Sequence, residues 1–263
     1  AYRFAQLAAA FLDARIGGID AVAYPALGLA LKGFETLAVT DCLNFGNPER
    51  ERVMSEFVAA LDGMNEVCAG LEAPIISGNV SFYNETMGRN ITPTPSTGLV
   101  GLRDSVNDLP LSRFERAGDV VFVVRMGIMG MGMESRRGGG LISGGLYQEA
   151  RRKKIQAIGD LSAPDVCAFT RAIRELALEP GVTATRAVGK FGLAYALARM
   201  SLGGVGVRID FDGLRLIREE VDQAALFEEH LYEAIFAVDP LRAEGGHAVG
   251  GHAASGFAEA VAR

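Results

Sequence analysis

The chain is poor in the residues that staple or anchor a protein from outside its own core. It has three cysteines in 263 residues, Cys42, Cys68 and Cys167. An odd count at no paired metal-ligand spacing excludes a disulfide framework and fits buried, reduced thiols in a reducing cytoplasm. No apolar run approaches the roughly 20 residues a membrane span needs, and no basic and apolar leader opens the chain, so a soluble cytoplasmic protein is expected. Basic residues are outnumbered 26 to 32, giving a formal net charge of −6, and they form no block that would track a phosphate backbone. Nucleic acid is therefore not an expected partner. Histidine is scarce as well, and His247 and His252 lie in a Gly- and Ala-rich stretch without a carboxylate or thiol at ligand spacing, which reads as a mobile tail. The first residue is Ala1 instead of Met, and an upstream portion is expected.

What the chain does have is a hydrophobic content of 49%, enough to fill the core of one large or two modest α/β domains. Helical spacing of Phe4, Leu7, Ala8, Phe11 and Leu12 predicts a helix over residues 2–15, ended by Gly17-Gly18. Asp20 is expected to cap a second helical stretch from Ala21 to Leu31. Residues 36–42 then become a short apolar run that closes on Asp41, the pattern of a buried strand whose end faces a site. From Glu49 to Leu71, apolar residues recur at helical spacing with Glu49 and Glu51 near the start, where negative charge suits the helix dipole. Pro74 breaks that helix and Ile75-Ile76-Ser77 begins a second strand. Strand, helix, strand over so short a span predicts a parallel crossover unit.

The two strands lead into Thr40-Asp41-Cys42-Leu43-Asn44-Phe45-Gly46-Asn47-Pro48-Glu49 and Ser77-Gly78-Asn79-Val80-Ser81-Phe82-Tyr83-Asn84-Glu85-Thr86. Polar, glycine-punctuated ends of adjacent parallel strands are where α/β proteins present ligand groups. Asp41, Asn44 and Asn47 carry oxygens of the kind Mg²⁺ accepts, Gly78 admits close backbone approach, and Asn79 and Ser81 share a strand face. The same residue types also cap turns and helix termini, and both readings stand at this point.

Residues 82–96 read as a loop over this pair, and 97–102 as a third strand. A polar, Pro-containing stretch marks a domain boundary near 105–118, which divides the chain into domains 1–110 and 118–263. Beyond it, strands are predicted at 119–125, 182–188, 205–211 and 234–238, and helices from Pro164 to Ala177, over 192–200, and at 214–219 and 223–229. The glycine-rich segment 127–145 matches neither a phosphate-loop nor a dinucleotide fingerprint and reads as a surface loop, with backbone phosphate binding the other possibility. Arg151-Arg152-Lys153-Lys154 reads as a solvated helix face.

The two ten-residue blocks, followed by Thr92-Pro93-Thr94-Pro95, closely resemble the second half of phosphoribosylformylglycinamidine synthase, the large synthetase of purine biosynthesis. The resemblance is dense over residues 18–126 and returns over 163–211. It implies a mixed α/β fold of the aminoimidazole ribonucleotide synthetase type: an N-terminal domain that pairs with a homologous half or a second copy into a barrel-like core, then a C-terminal α/β domain. It also implies ATP and Mg²⁺ as cofactors, formylglycinamide ribonucleotide as substrate, and a glutaminase subunit or domain supplying ammonia. Carried over position by position, Asp41 and Gly78 become ATP contacts, Asn79 a Mg²⁺ ligand and Ser81 a substrate contact; no catalytic residue is carried over. The sequence departs from the family where a His-Asp motif is usual: it reads Thr185-Arg186-Ala187-Val188-Gly189-Lys190-Phe191-Gly192-Leu193. Phe227-Glu228-Glu229-His230 replaces a Phe-Ser-Glu-Ser type turn, and the family's catalytic histidines belong to a first half that this chain does not match. A non-catalytic, nucleotide-holding half or divergent paralogue is the alternative expectation.

Overall fold

The computed structural model of the chain describes residues 2–4, 13–126, 141–142, 161–189, 191–209, 225–227, 229–230 and 232–241. The expected character of the 127–145 loop, apart from a two-residue strand at 141–142, and of the 151–154 basic run, the 214–219 helix and the 244–256 tail lies outside these residues.

A four-stranded sheet forms the first layer. Its strands are β1 (Tyr2–Phe4), β2 (Glu35–Asn44), β3 (Ile75–Ser81) and β6 (Thr94–Leu102), in the order β1-β6-β2-β3. β2 and β3 run parallel, joined by helix α2 (Glu51–Gly70), so the predicted crossover unit is present; the remaining pairs are antiparallel. Two short strands, β4 (Glu85–Thr86) and β5 (Arg89–Asn90), make a small hairpin inside the segment read as a loop.

The helix predicted over residues 2–15 does not begin at residue 2, and residues 5–12 lie outside the described residues. Tyr2–Phe4 pairs with β6, and helix α1 runs from Ala14 to Ala30, straight through Gly17-Gly18. Asp13, not Asp20, is its N-cap, its carboxylate accepting from the Ile16 amide at 2.9 Å and satisfying one of the helix's unpaired donors. The glycines stay helical because the neighbouring helix needs their space. A Cβ on Gly18 would lie 2.1 Å from the Ala60 carbonyl oxygen, and one on Gly63 of α2 would lie 2.1 Å from that of Arg15. Each helix thus opens a notch for the other's backbone.

The second layer holds a three-stranded antiparallel sheet of β7 (Val120–Arg125), β9 (Val182–Val188) and β11 (Glu233–Val238), in the order β7-β11-β9, with helices α3 (Ala163–Leu178) and α4 (Gly192–Met200). Two further short strands, β8 (Leu141–Ile142) and β10 (Glu229–His230), pair with each other, and β10 takes the place of part of the predicted 223–229 helix. Ser162 caps α3 and Pro164 sits in its first turn, where a missing amide costs nothing. Of the strand predicted over 205–211, residues 210–211 lie outside the described residues and the rest is not a strand. Residues 205–209 are irregular, although Val205, Val207 and Ile209 pack on the cluster under α4 as their alternation suggests.

One apolar cluster runs through both layers: Ile19, Val22 and Leu27 of α1, Met64 and Val67 of α2, Ile173 of α3, and Ala234, Phe236 and Val238 of β11. The opposite face of β7-β11-β9, through Val121, Val123, Ile235 and Ala237, packs with Leu193 and Leu197 of α4. Burial on this scale, at ~25 cal/mol per Å² of apolar area, is the main stabilising contribution.

Candidate functional site

Both site motifs lie largely within strands. The predicted polar strand ends are in fact ladder positions: Asp41 stands opposite Gly78, Cys42 opposite Asn79 and Asn44 opposite Ser81. Side chains alternate along a strand and partners across a ladder share a face, so this register sorts the four expected site residues. Asp41 and Gly78 share the face that carries Val39, Leu43, Thr97 and Leu99, all buried under α1 and α2. Asn79 and Ser81 share the opposite, outward face with Thr40, Cys42, Asn44, Thr94 and Ser96. The structure therefore brings Asn79 and Ser81 together and sets Asp41 behind them.

Around Asn79 and Ser81 the outward face is small and polar, with Val100 and Leu102 exposed farther along it on β6. Asn79 is exposed, and its side chain makes no hydrogen bond among the described residues. Ser81 Oγ lies 3.1 Å from Asn84 Nδ2, and the same amide donates to the carbonyls of Phe45 at 2.9 Å and Ser81 at 2.8 Å. Asn84 thereby ties the end of β3 to the corner after β2. Edge-to-face contacts of Phe57 with Phe45 (5.1 Å) and Phe82 (5.0 Å) anchor that corner on α2. Of the two further asparagines with candidate oxygens, Asn47 accepts from the Glu49 amide at 2.9 Å, a turn cap. Asn44 turns its amide back onto the Cys42 carbonyl at 3.2 Å. Ser96 Oγ, beside Cys42 across the ladder, is buried with no hydrogen-bond partner.

On the inner face, burial lifts the Asp41 carboxyl above its ordinary pKa range, and the Asn79 backbone amide pulls the other way. Burial, with the Asp41 charge as a smaller cause, also raises the Cys68 thiol to about 11, so Cys68 is a protonated, inert core residue. All three cysteines are free.

A Mg²⁺ site needs hard oxygens and usually at least one carboxylate. Among the described residues no group of three or more His, Cys, Asp or Glu could hold a metal. The outward face offers the neutral Asn79 carbonyl and the Ser81 hydroxyl, while the Asp41 carboxylate is on the other face. Neutral donors alone fit only one edge of a Mg²⁺ site, which would need charged ligands from elsewhere. A half-open cavity of about 980 Å³ lies elsewhere, lined by Phe114, Val121, Val123, Leu193 and Val207 among others, and none of the four residues borders it.

Sequence reasoning missed the polar contacts that join the layers. Tyr232 Oη donates to Asp20 Oδ1 at 2.9 Å, both groups being fully enclosed. The Lys32 ammonium, at the end of α1, reaches the carbonyls of Pro110 and Leu111 at 2.8 Å and the Thr185 hydroxyl at 3.1 Å. Partners this distant in sequence leave no local signal.

Two layers of mixed α/β structure, with a polar strand face exposed among the described residues, define an α/β protein. Residues 3–103 match the AIR synthase related protein, N-terminal domain, and residues 116–249 match the AIR synthase related protein, C-terminal domain. The chain belongs to the AIR synthase related family.

Solved structures share the fold. T. maritima PurL complexed with ATP superposes with a TM-score of 0.55 at 19% identity, over 90% of this chain and 31% of PurL. The chain thus spans about a third of that relative's length. E. coli HypE superposes with a TM-score of 0.64 at 16% identity, over 99% of this chain and 73% of HypE. HypE also appears in a HypE-HypF complex, matched at 13% identity and a TM-score of 0.60 over 91% of this chain and 74% of that one. No helix among the described residues is long and apolar enough to cross a membrane.

Proposed function

We propose that this chain supplies the second-half module of an ATP-dependent phosphoribosylformylglycinamidine synthase in the cytoplasm. In that reaction, phosphoryl transfer from ATP activates the formyl-amide oxygen of formylglycinamide ribonucleotide. Ammonia, released from glutamine by a glutaminase partner, then displaces phosphate to give the amidine. Phosphoryl transfer asks the protein mainly to position charged groups. Asn79 is the Mg²⁺ ligand on this edge and Ser81 the substrate contact, with Asp41 and Gly78 serving the nucleotide side of the same strand pair.

The observation that carries the reading is the outward face of β2-β3, where Asn79 and Ser81 stand side by side on an exposed edge strand. The unsatisfied Ser96 hydroxyl on that face supports a covering surface, because buried polar groups are normally paired. A homologous half, or a second copy, closing the sheet into a barrel would supply it, together with the missing carboxylates. The PurL complex with ATP agrees with nucleotide use.

A second reading is a non-catalytic half that holds its nucleotide and stabilises the assembly by mass action. It is favoured by the stretch Thr185–Leu193, which lacks the acid and imidazole of the family's His-Asp motif, and by a ladder partner of Asn79, Cys42, that is no carboxylate. Calorimetric titration of Mg·ATP into the full-length protein separates these from an unrelated function. We expect Asn79→Ala to weaken Mg·ATP binding about tenfold, the loss of one charge-assisted contact. Unchanged affinity would remove both readings. An ammonia-dependent assay with formylglycinamide ribonucleotide then decides between turnover and scaffold.

A further inference from the structure

The pairing of Asp41 with Gly78 is tighter than a ladder requires. A Cβ built on Gly78 would lie 1.8 Å from Asp41 Oδ1 and 2.6 Å from its Cγ. Gly78 has no left-handed φ, so glycine is needed there for space and not for conformation. The space is filled by the Asp41 carboxylate, which lies across the β3 backbone on the face away from Asn79 and Ser81. Its neighbour on the other strand, Thr97, directs its hydroxyl to the Ala21 carbonyl and leaves the carboxylate to β3. A half-buried carboxylate with a glycine cut to its shape asks for a role.

β3 supplies that role. Among the described residues it is an edge strand with β2 as its one sheet neighbour, and it is exposed along most of its length, with Ile76 at 64% and Val80 at 47%. No other described strand fixes the backbone that carries Asn79. We infer that Asp41 and Gly78 form a latch: the carboxylate seats over Gly78 beside the Asn79 amide and holds β3 so that Asn79 and Ser81 present correctly on the opposite face. Asp41 then serves the nucleotide side as a positioning residue that acts through Asn79. This inference rests on the proposed Mg·ATP role of the outward face.

The test is a set of double-mutant cycles in the full-length protein, with Mg·ATP affinity read by calorimetry and stability by denaturant unfolding. Asp41→Ala is expected to weaken affinity about tenfold in the wild-type background and to change it less than about twofold in an Asn79→Ala background, because residues acting as one unit are not additive. Asp41→Asn, which fills the same slot and still presents an oxygen to the Asn79 amide, should bind within about threefold of wild type. Additive losses of Asp41→Ala and Asn79→Ala, or an Asp41→Asn variant as weak as Asp41→Ala, would overturn the latch in favour of direct contact. The stability arm does not depend on nucleotide. Gly78→Ala should destabilise the wild type through its clash with the carboxylate, and when Asp41 is Ala this effect should shrink to that of the 3.1 Å approach to the residue 41 carbonyl oxygen; an equal effect in both backgrounds refutes the latch. A protein that binds no Mg·ATP fails the proposed function while leaving that stability cycle to decide the latch.

Discussion

The crossing of α1 and α2 gives the sharpest stability prediction, because ordinary helix propensity points the wrong way. Replacing a helical glycine with alanine normally stabilises by about 1 kcal/mol. At Gly63 the new methyl would sit 2.1 Å from the Arg15 carbonyl oxygen and 3.0 Å from the Ile19 nitrogen, and at Gly18 it would sit 2.1 Å from the Ala60 carbonyl oxygen. A carbon approaches a carbonyl oxygen no closer than about 3.3 Å in comfortable contact, and the atoms met are backbone that cannot rotate aside. The helices must part by roughly an ångström, which loosens Ile19, Val22, Ala60 and Met64, all buried between them. Overpacking of this kind costs about 1–3 kcal/mol. We expect Gly63→Ala to lose about 2 kcal/mol net, a fall in melting temperature of roughly 4–8 °C for a protein of this size. Gly18→Ala should behave alike, and the double variant should cost less than the sum, since one separation relieves both clashes. Gly206→Ala, whose Cβ would meet nothing within 4 Å, is the control, expected to fall within about 0.5 kcal/mol of wild type. A Gly63→Ala protein as stable as wild type would refute the close crossing.

Two further predictions concern the junction between the layers. Burial, with the Arg186 guanidinium adding to it, lowers the Lys32 pKa from 10.5 to about 8; the unfolded chain therefore holds the proton between these values and stability rises with pH across that window. After screening at a half-buried site the gain is about 1–2 kcal/mol, and Lys32→Met should flatten the slope of unfolding free energy between pH 8 and 10.5; an unchanged slope would show that Lys32 is not its source. Tyr232→Phe removes the hydroxyl that donates to enclosed Asp20, and about 1.5–3 kcal/mol of stability should go with it in chemical denaturation; a loss under 0.5 kcal/mol would mean that the other contacts of Asp20 suffice.

Local pattern and composition were enough for most of the elements that frame the site. The spacing of Val53, Met64 and Val67 dictates α2, and the apolar runs before Asp41 and after Pro74 dictate a parallel strand pair, because a helix of that length joins strands only as a crossover. The motif blocks pointed to Asp41, Gly78, Asn79 and Ser81 and to the family. Period alone misread residues 2–4, where tertiary pairing with β6 makes Tyr2–Phe4 a strand, and it let Gly17-Gly18 end a helix that runs on through them. It also predicted a strand over 205–211, of which 205–209 keep the alternation but take no ladder partner among the described residues.

The register of β2 against β3 was beyond the sequence. A shift by one residue exchanges every side chain between faces, so only the folded ladder could put Asp41 over Gly78 and turn Asn79 and Ser81 outward together. The sequence determined which residues are candidates for the chemistry, since their types and spacing are local properties. Tertiary structure decided which of them face outward and which lie behind, because that depends on how two strands separated by a whole helix come to lie side by side.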